Sequence, residues 1–181
     1  MTNYVVGFLF SPSLGQLVLI EKKRPLWQAG KCNGVGGKIE EGETDYEAMV
    51  REFREETGKE VTDWIRFCTL NCQCATVYFF YAVAEDYNKV ESTTDEEIQL
   101  WDVDHVMKAW TSPQLDWLAR LNSLISDSGI EECPQVVPNL PWLVQMARSF
   151  YYGEGVKEFI VTEVYHEIEE NSNEEKPADR A

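Results

Sequence analysis

Three glutamates, Glu52, Glu55 and Glu56, stand at i, i+3 and i+4. In a helix that spacing turns them toward one side. Carboxylates so close repel one another, and on spacing alone a solvated acidic face is the commoner meaning of the pattern. The residues upstream change its weight. Gly36-Gly37-Lys38 closes a glycine-rich loop, and Glu43 stands beside the start of the helix. Loop carbonyls facing a carboxylate cluster make a hard-oxygen ligand set, which suits Mg²⁺ or Mn²⁺ better than zinc. Ions held in this way act on substrate phosphates, neutralising phosphoryl oxygens and acidifying a bound water.

The element that must carry these glutamates is the clearest in the chain. Thr44 to Thr57 predicts a helix. Thr44 and Glu47 have the spacing of a capping box, and Gly58 falls where a C-terminal cap glycine belongs. Tyr46, Met49, Val50, Phe53 and Thr57 recur with helical period and form its packing face. Before the helix, Tyr4–Phe10 and Gln16–Lys22 read as strands of a hairpin around the turn at residues 11–15. Lys23 to Glu43 reads as a long irregular stretch. After the helix, Trp64–Leu70, Ala75–Ala84 and Ile98–Val103 read as strands, the middle one central because it is β-branched and aromatic. Pro113–Ser126 and Pro141–Tyr151 read as helices, and Lys157–Tyr165 as a last strand.

Gly37, Glu43 and the run Arg51-Glu52-Phe53-Arg54-Glu55-Glu56-Thr57-Gly58 resemble the Nudix box, G-x5-E-x7-R-E-U-x-E-E-x-G-U, where U is bulky and apolar. Lys59 departs from the final apolar position, and Val61 is placed to take over its packing. The resemblance implies an α/β fold, a mixed β-sheet sandwiched between helices (α-β-α). It also implies hydrolysis of a nucleoside diphosphate derivative by water, with Mg²⁺ or Mn²⁺ as cofactor. Glu52, Glu55 and Glu56 would be metal ligands, with the Gly36 carbonyl as a further one. Arg51 would position the glutamates by pairing with Glu43, and Lys38 would contact phosphate. An acid outside the box often completes such a set; Glu96 is the first choice here and Glu97 the second.

The leaving group has to be read elsewhere. Trp27 to Lys38, with its Asn33-Gly-Val-Gly-Gly-Lys run, resembles the MutT-like branch, which converts nucleoside triphosphates, oxidised purines among them, to monophosphate and pyrophosphate. Asn33 would then meet the base, since an amide both donates and accepts. Asn139, in a segment resembling the start of that branch's C-terminal helix, is a second base-reading candidate, with helix capping as the plainer alternative. The rival substrates are ADP-ribose, a dinucleoside polyphosphate or a signalling nucleotide; the rival class is a nucleotide-binding module without catalysis.

The 181 residues carry a net charge of −16, so a nucleic-acid polymer is not an expected partner. No apolar run approaches the ~20 residues of a membrane span. The five cysteines are irregularly spaced and read as reduced thiols, which with no signal peptide visible gives a cytoplasmic expectation. Residues 1–166 are read as one domain with an insertion at 108–133, a surface on which a homodimer could form. Residues 167–181 are read as an acidic, disordered tail.

Overall fold

The computed structural model describes residues 2–72, 75–110, 135–153 and 159–162. Its elements are β1 (Thr2–Phe10), β2 (Gln16–Lys22), β3 (Lys31–Asn33), α1 (Asp45–Thr57), β4 (Ile65–Asn71), β5 (Ala75–Val83), β6 (Glu97–Asp102), α2 (Val103–Trp110), α3 (Leu140–Tyr151) and β7 (Phe159–Thr162). The expected helix at Pro113–Ser126, most of the insertion and the acidic tail lie outside the described residues. Among the described residues, no helix is long and apolar enough to cross a membrane.

The strands join in one mixed sheet of order β3-β2-β1-β5-β4-β7, with β6 on the other edge of β2. β5 is internal, paired parallel to β1 along nine positions and antiparallel to β4. Alternation along the strands divides the core between two faces. Val5, Leu9, Val18 and Ile20 pack under α1 with Met49, Phe53, Val61 and Trp64. Phe8, Phe10, Leu17 and Leu19 pack on the opposite face with Val106, Leu140, Leu143 and Val144 of α2 and α3. The sheet therefore lies between helices, as the α-β-α reading required.

The expected hairpin forms only at its tip. β1 and β2 pair at Leu9–Val18 and Phe10–Leu17, and then β2 turns away to pair with β3. The edge of β1 so exposed is taken by the glycine-rich loop. Gly7 N–H donates to the Val35 carbonyl (2.7 Å), Val5 N–H to Gly37 (2.9 Å) and Ile39 N–H to Asn3 (3.0 Å). The stretch read as irregular is thus partly strand (β3) and partly a segment laddered onto β1. Gly36 is required there, because a Cβ on it would lie 2.1 Å from the Val5 carbonyl oxygen.

Some details differ from the sequence reading. Val103 begins α2 instead of ending a strand, since Val103 and Val106 recur at helical spacing and both are buried. Trp64 precedes β4 and packs its ring on Phe53, with centroids 5.1 Å apart. Tyr46 lies at the rim of α1's packing face, its hydroxyl donating to the Thr62 carbonyl. Cys32, next to the loop, is buried, and burial pushes its thiol up to about 11.

Candidate active site

α1 is fixed at both ends by the signals in its sequence. Thr44 Oγ1 accepts the Glu47 N–H while Glu47 accepts the Thr44 N–H, and Gly58 closes the helix in the left-handed conformation at φ 67°. Met49 and Phe53 anchor its inner side. Gly7 on β1 lets the helix approach closely, as a Cβ there would lie 2.6 Å from Met49 Cε. With the helix seated, Glu52 and Glu56 face the glycine-rich loop. Gly36 N–H donates to Glu56 Oε2 at 3.0 Å. Glu52 comes so near Gly37 that a Cβ there would sit 2.4 Å from its Oε2.

Arg51 binds this side of the helix together. Its Nε and one terminal nitrogen fork onto Glu43 at 2.8 and 2.9 Å. The other terminal nitrogen reaches Glu52 at 2.9 Å and Glu55 at 3.2 Å. The Lys38 carbonyl accepts a further bond at 3.0 Å. The Arg51–Glu43 pair expected from sequence is present, and so is the plain i, i+4 pair with Glu55. Hydrogen bonds from Arg51 hold the Glu43 carboxyl below the usual carboxylate range.

Glu96 is brought to the same place from the loop before β6. It is buried, its Oε1 accepts the Lys23 N–H at 2.7 Å, and its Oε2 meets Lys22 Nζ at 2.5 Å. Burial raises its carboxyl, but Lys22 and the backbone N–H groups outweigh that and hold it low. Glu56 has the opposite balance. Burial dominates, the nearby carboxylates add to it, and Lys22 at 3.7 Å and the Gly36 N–H offset only part, so its carboxyl is pushed up to about 7. Burial also raises Glu52, against the pull of Arg51.

A cavity of about 320 Å³ opens between these parts, lined by Gly36, Gly37, Glu52, Glu56 and Glu96, with Lys22, Arg24 and Lys38 as its cations. Asp95 is at its rim, paired with Arg24 at 3.1 Å. The structure thus assembles Gly36, Lys38, Glu52, Glu56 and Glu96 around one space. It does not bring Glu55 there. That side chain is 55% exposed and turned to Arg51, because at 100° per residue it stands well round the helix from Glu56. Glu97 is exposed on β6 and also lies off the cavity. Lys22 is the residue that sequence reasoning passed over. The signal was available: period-2 alternation puts it on the same face as the buried Val18 and Ile20.

The two candidate amides lie at one sheet edge. The segment before α3 pairs with β3 through Cys32, whose N–H donates to Gln135 (2.6 Å) and whose carbonyl accepts from Val137 (3.1 Å). Asn33 Oδ1 accepts the Gly34 N–H at 2.8 Å. Asn139 stands at the N-cap of α3 but makes no side-chain cap bond, so capping does not occupy its amide.

The donor set fits a hard divalent ion in kind, because it consists of carboxylates and backbone carbonyls. Among the described residues no three ligand side chains already close on one point. Lys22 and Arg51 stand between the carboxylates and neutralise them.

The NUDIX domain family model matches residues 1–121. The chain belongs to the Nudix family. Its fold is similar to the NUDIX domain of Shewanella oneidensis NrtR, determined with ADP-ribose (TM-score 0.57, 15% identity, 82% of this chain and 87% of that one). It is similar also to a MutT from work on Aliivibrio salmonicida and Vibrio cholerae (TM-score 0.52, 22% identity, 66% and 98% covered). MutT from Bacillus halodurans aligns at a TM-score of 0.50 and 20% identity, covering 70% of this chain and 84% of that one. At these identities the likeness concerns the fold. Family membership makes the chain a Nudix pyrophosphohydrolase, an enzyme acting on phosphoanhydride bonds. The Nudix box runs from the β1-bound loop through α1, and Val61, two residues beyond its end, is buried with Met49, Phe53 and Trp64. Lys59 instead extends to Asp86 at 2.6 Å.

Proposed function

We propose that this Nudix hydrolase cleaves a purine nucleoside triphosphate, an oxidised or otherwise noncanonical one included, to monophosphate and pyrophosphate with Mg²⁺ or Mn²⁺. The observation that carries the metal-dependent part is the convergence of Glu52, Glu56, Glu96 and the Gly36–Lys38 loop on one cavity. Gly37's carbonyl is already taken by Val5, which leaves that of Gly36 as the loop's ligand. Glu52, Glu56 and Glu96 would hold the ion with it, and Glu55 would join only by leaving Arg51. When bound, the ion neutralises phosphoryl oxygens and acidifies water.

The protein's own groups do the rest. Four carboxylates and three cations line the cavity, and adding divalent ions turns its balance positive, as a polyphosphate requires. Lys38 and Arg24 stand at the opening and bind and orient the phosphate chain. Glu56 presents its Oε1 to the ion, since its Oε2 accepts the Gly36 N–H. Asn33 and Asn139, on the sheet edge beyond the loop, read the base by donating and accepting.

The test is a substrate panel with mass identification of products, run with Mg²⁺ and with chelator. Metal-dependent pyrophosphate release from a purine triphosphate supports the reading. Cleavage of only ADP-ribose to two monophosphates, or of only a dinucleoside polyphosphate to a nucleoside monophosphate and the remaining nucleoside polyphosphate, keeps the chemistry and discards the roles of Asn33 and Asn139. Tight nucleotide binding with no turnover favours a binding module.

A further inference from the structure

Lys22 ends β2 on the face that packs under α1. Its ammonium stands 2.5 Å from Glu96 Oε2 and 3.7 Å from Glu56 Oε1, and its side chain is 16% exposed. Among the ion pairs of the described residues, only those of Lys22 join Glu56 to Glu96; Arg24 pairs with Asp95 at the rim, and Arg51 with Glu43, Glu52 and Glu55. Lys22 is therefore the cation that joins the helix carboxylate to the loop carboxylate. These are two of the groups assigned to the metal.

We infer that Lys22 is an internal counter-cation that exchanges with the divalent ion. It holds Glu56 and Glu96 together in the metal-free protein and gives up at least one of them when metal enters. The inference rests on the metal reading above. A divalent ion takes a carboxylate oxygen at ~2.1 Å. With the ammonium still 2.5 Å from Glu96, two positive centres would be crowded onto one carboxylate. Repulsion at such range in a half-dry site is large compared with thermal energy. The lysine stem has four flexible carbons, so its head can swing while β2 stays in place.

Two consequences follow from this exchange. Lys22 sets the affinity for metal alone below what the carboxylates would give unaided. The released ammonium lines the cavity assigned to the phosphates, so a polyphosphate that accepts it stabilises the metal-loaded arrangement. Metal and nucleotide then strengthen each other's binding, by the same factor in each direction.

The experiment is calorimetric titration of the full chain with Mn²⁺ alone, without nucleotide. Lys22→Gln is expected to bind Mn²⁺ roughly tenfold more tightly than wild type, whereas Lys22→Arg, which keeps the charge, stays within about threefold. Thermal unfolding gives a second readout. The metal-free Gln variant melts lower, since its two carboxylates have lost their cation, and its Mn²⁺-induced rise exceeds that of wild type. Lys22→Met, which keeps the apolar stem, serves as the second variant. If both neutral variants are unfolded without metal, Mn²⁺ must restore their circular dichroism; failure to do so overturns the inference. Unchanged or weaker Mn²⁺ affinity in a folded neutral variant also overturns it. A folded wild-type protein that takes up no Mn²⁺ overturns the metal reading itself, and the exchange with it.

Discussion

Replacing Glu56 with Gln should stabilise the metal-free protein at high pH while removing a metal ligand. Burial pushes the Glu56 carboxyl from its ordinary 4.5 to about 7. Below pH 4.5 folded and unfolded chains both hold the proton, and the residue has no net effect. Between 4.5 and about 7 the unfolded chain ionises first, so stability falls as pH rises. Above that interval the penalty is complete, at about 3 kcal/mol. Gln has the shape of the protonated acid and can still accept the Gly36 N–H. The variant should therefore match wild type near pH 4.5 and exceed it by about 3 kcal/mol at pH 8. For a chain of this size that is a gain of about 6–12 °C in Tm. Urea unfolding of both proteins in chelator across pH 4.5–8 measures the difference. Adding Mn²⁺ should reverse the order, because only wild type gains a full ligand set. A difference that is flat with pH, or a variant less stable at pH 8, would refute the reasoning.

Gly36→Ala places a methyl against the Val5 carbonyl and should cost about 3 kcal/mol or more, read by chemical denaturation. Gly37→Ala instead meets the movable end of Glu52; it should leave Tm nearly unchanged but weaken Mn²⁺ binding, as calorimetry would show. Arg51→Lys keeps the charge but cannot fork onto Glu43 while also reaching Glu52, so kcat should fall at least roughly tenfold with the fold retained by circular dichroism. Thr44→Ala removes the cap of α1 and should cost about 1 kcal/mol in a urea titration.

The parts of this site written in local chemistry were legible beforehand. The capping box, the cap glycine and the spacing of Glu52 and Glu56 specify one helix and one acidic side, and the structure contains both. Glu96 could be named because it precedes a strand at a recognisable place. What escaped was set by pairing between distant segments. β3 is three residues long, and its partners are β2 and residues 135–137. α2 was hidden because Ile98–Val103 reads continuously as strand, and only the packing of Val103 and Val106 shows where the chain turns helical. Glu55 was grouped with its neighbours because helical spacing gives direction only to within a wide sector. Lys22 was passed over because a lysine ending a strand is ordinary until the face it shares with Val18 and Ile20 is followed into the core.

Where β2 peels away, β1 would present an open row of backbone donors and acceptors. An edge of that kind invites pairing with another chain. The segment 35–39 covers it, using the same backbone that delivers Gly36 and Lys38 to the carboxylates. One short stretch thus guards the sheet against intermolecular strand addition and forms a wall of the reaction chamber. Any local unzipping of it would dismantle the chamber and expose an adhesive edge in a single event. Loss of activity and the onset of aggregation should then share one opening step, visible as coincident hydrogen exchange at the amides of Val5, Gly7, Val35 and Ile39.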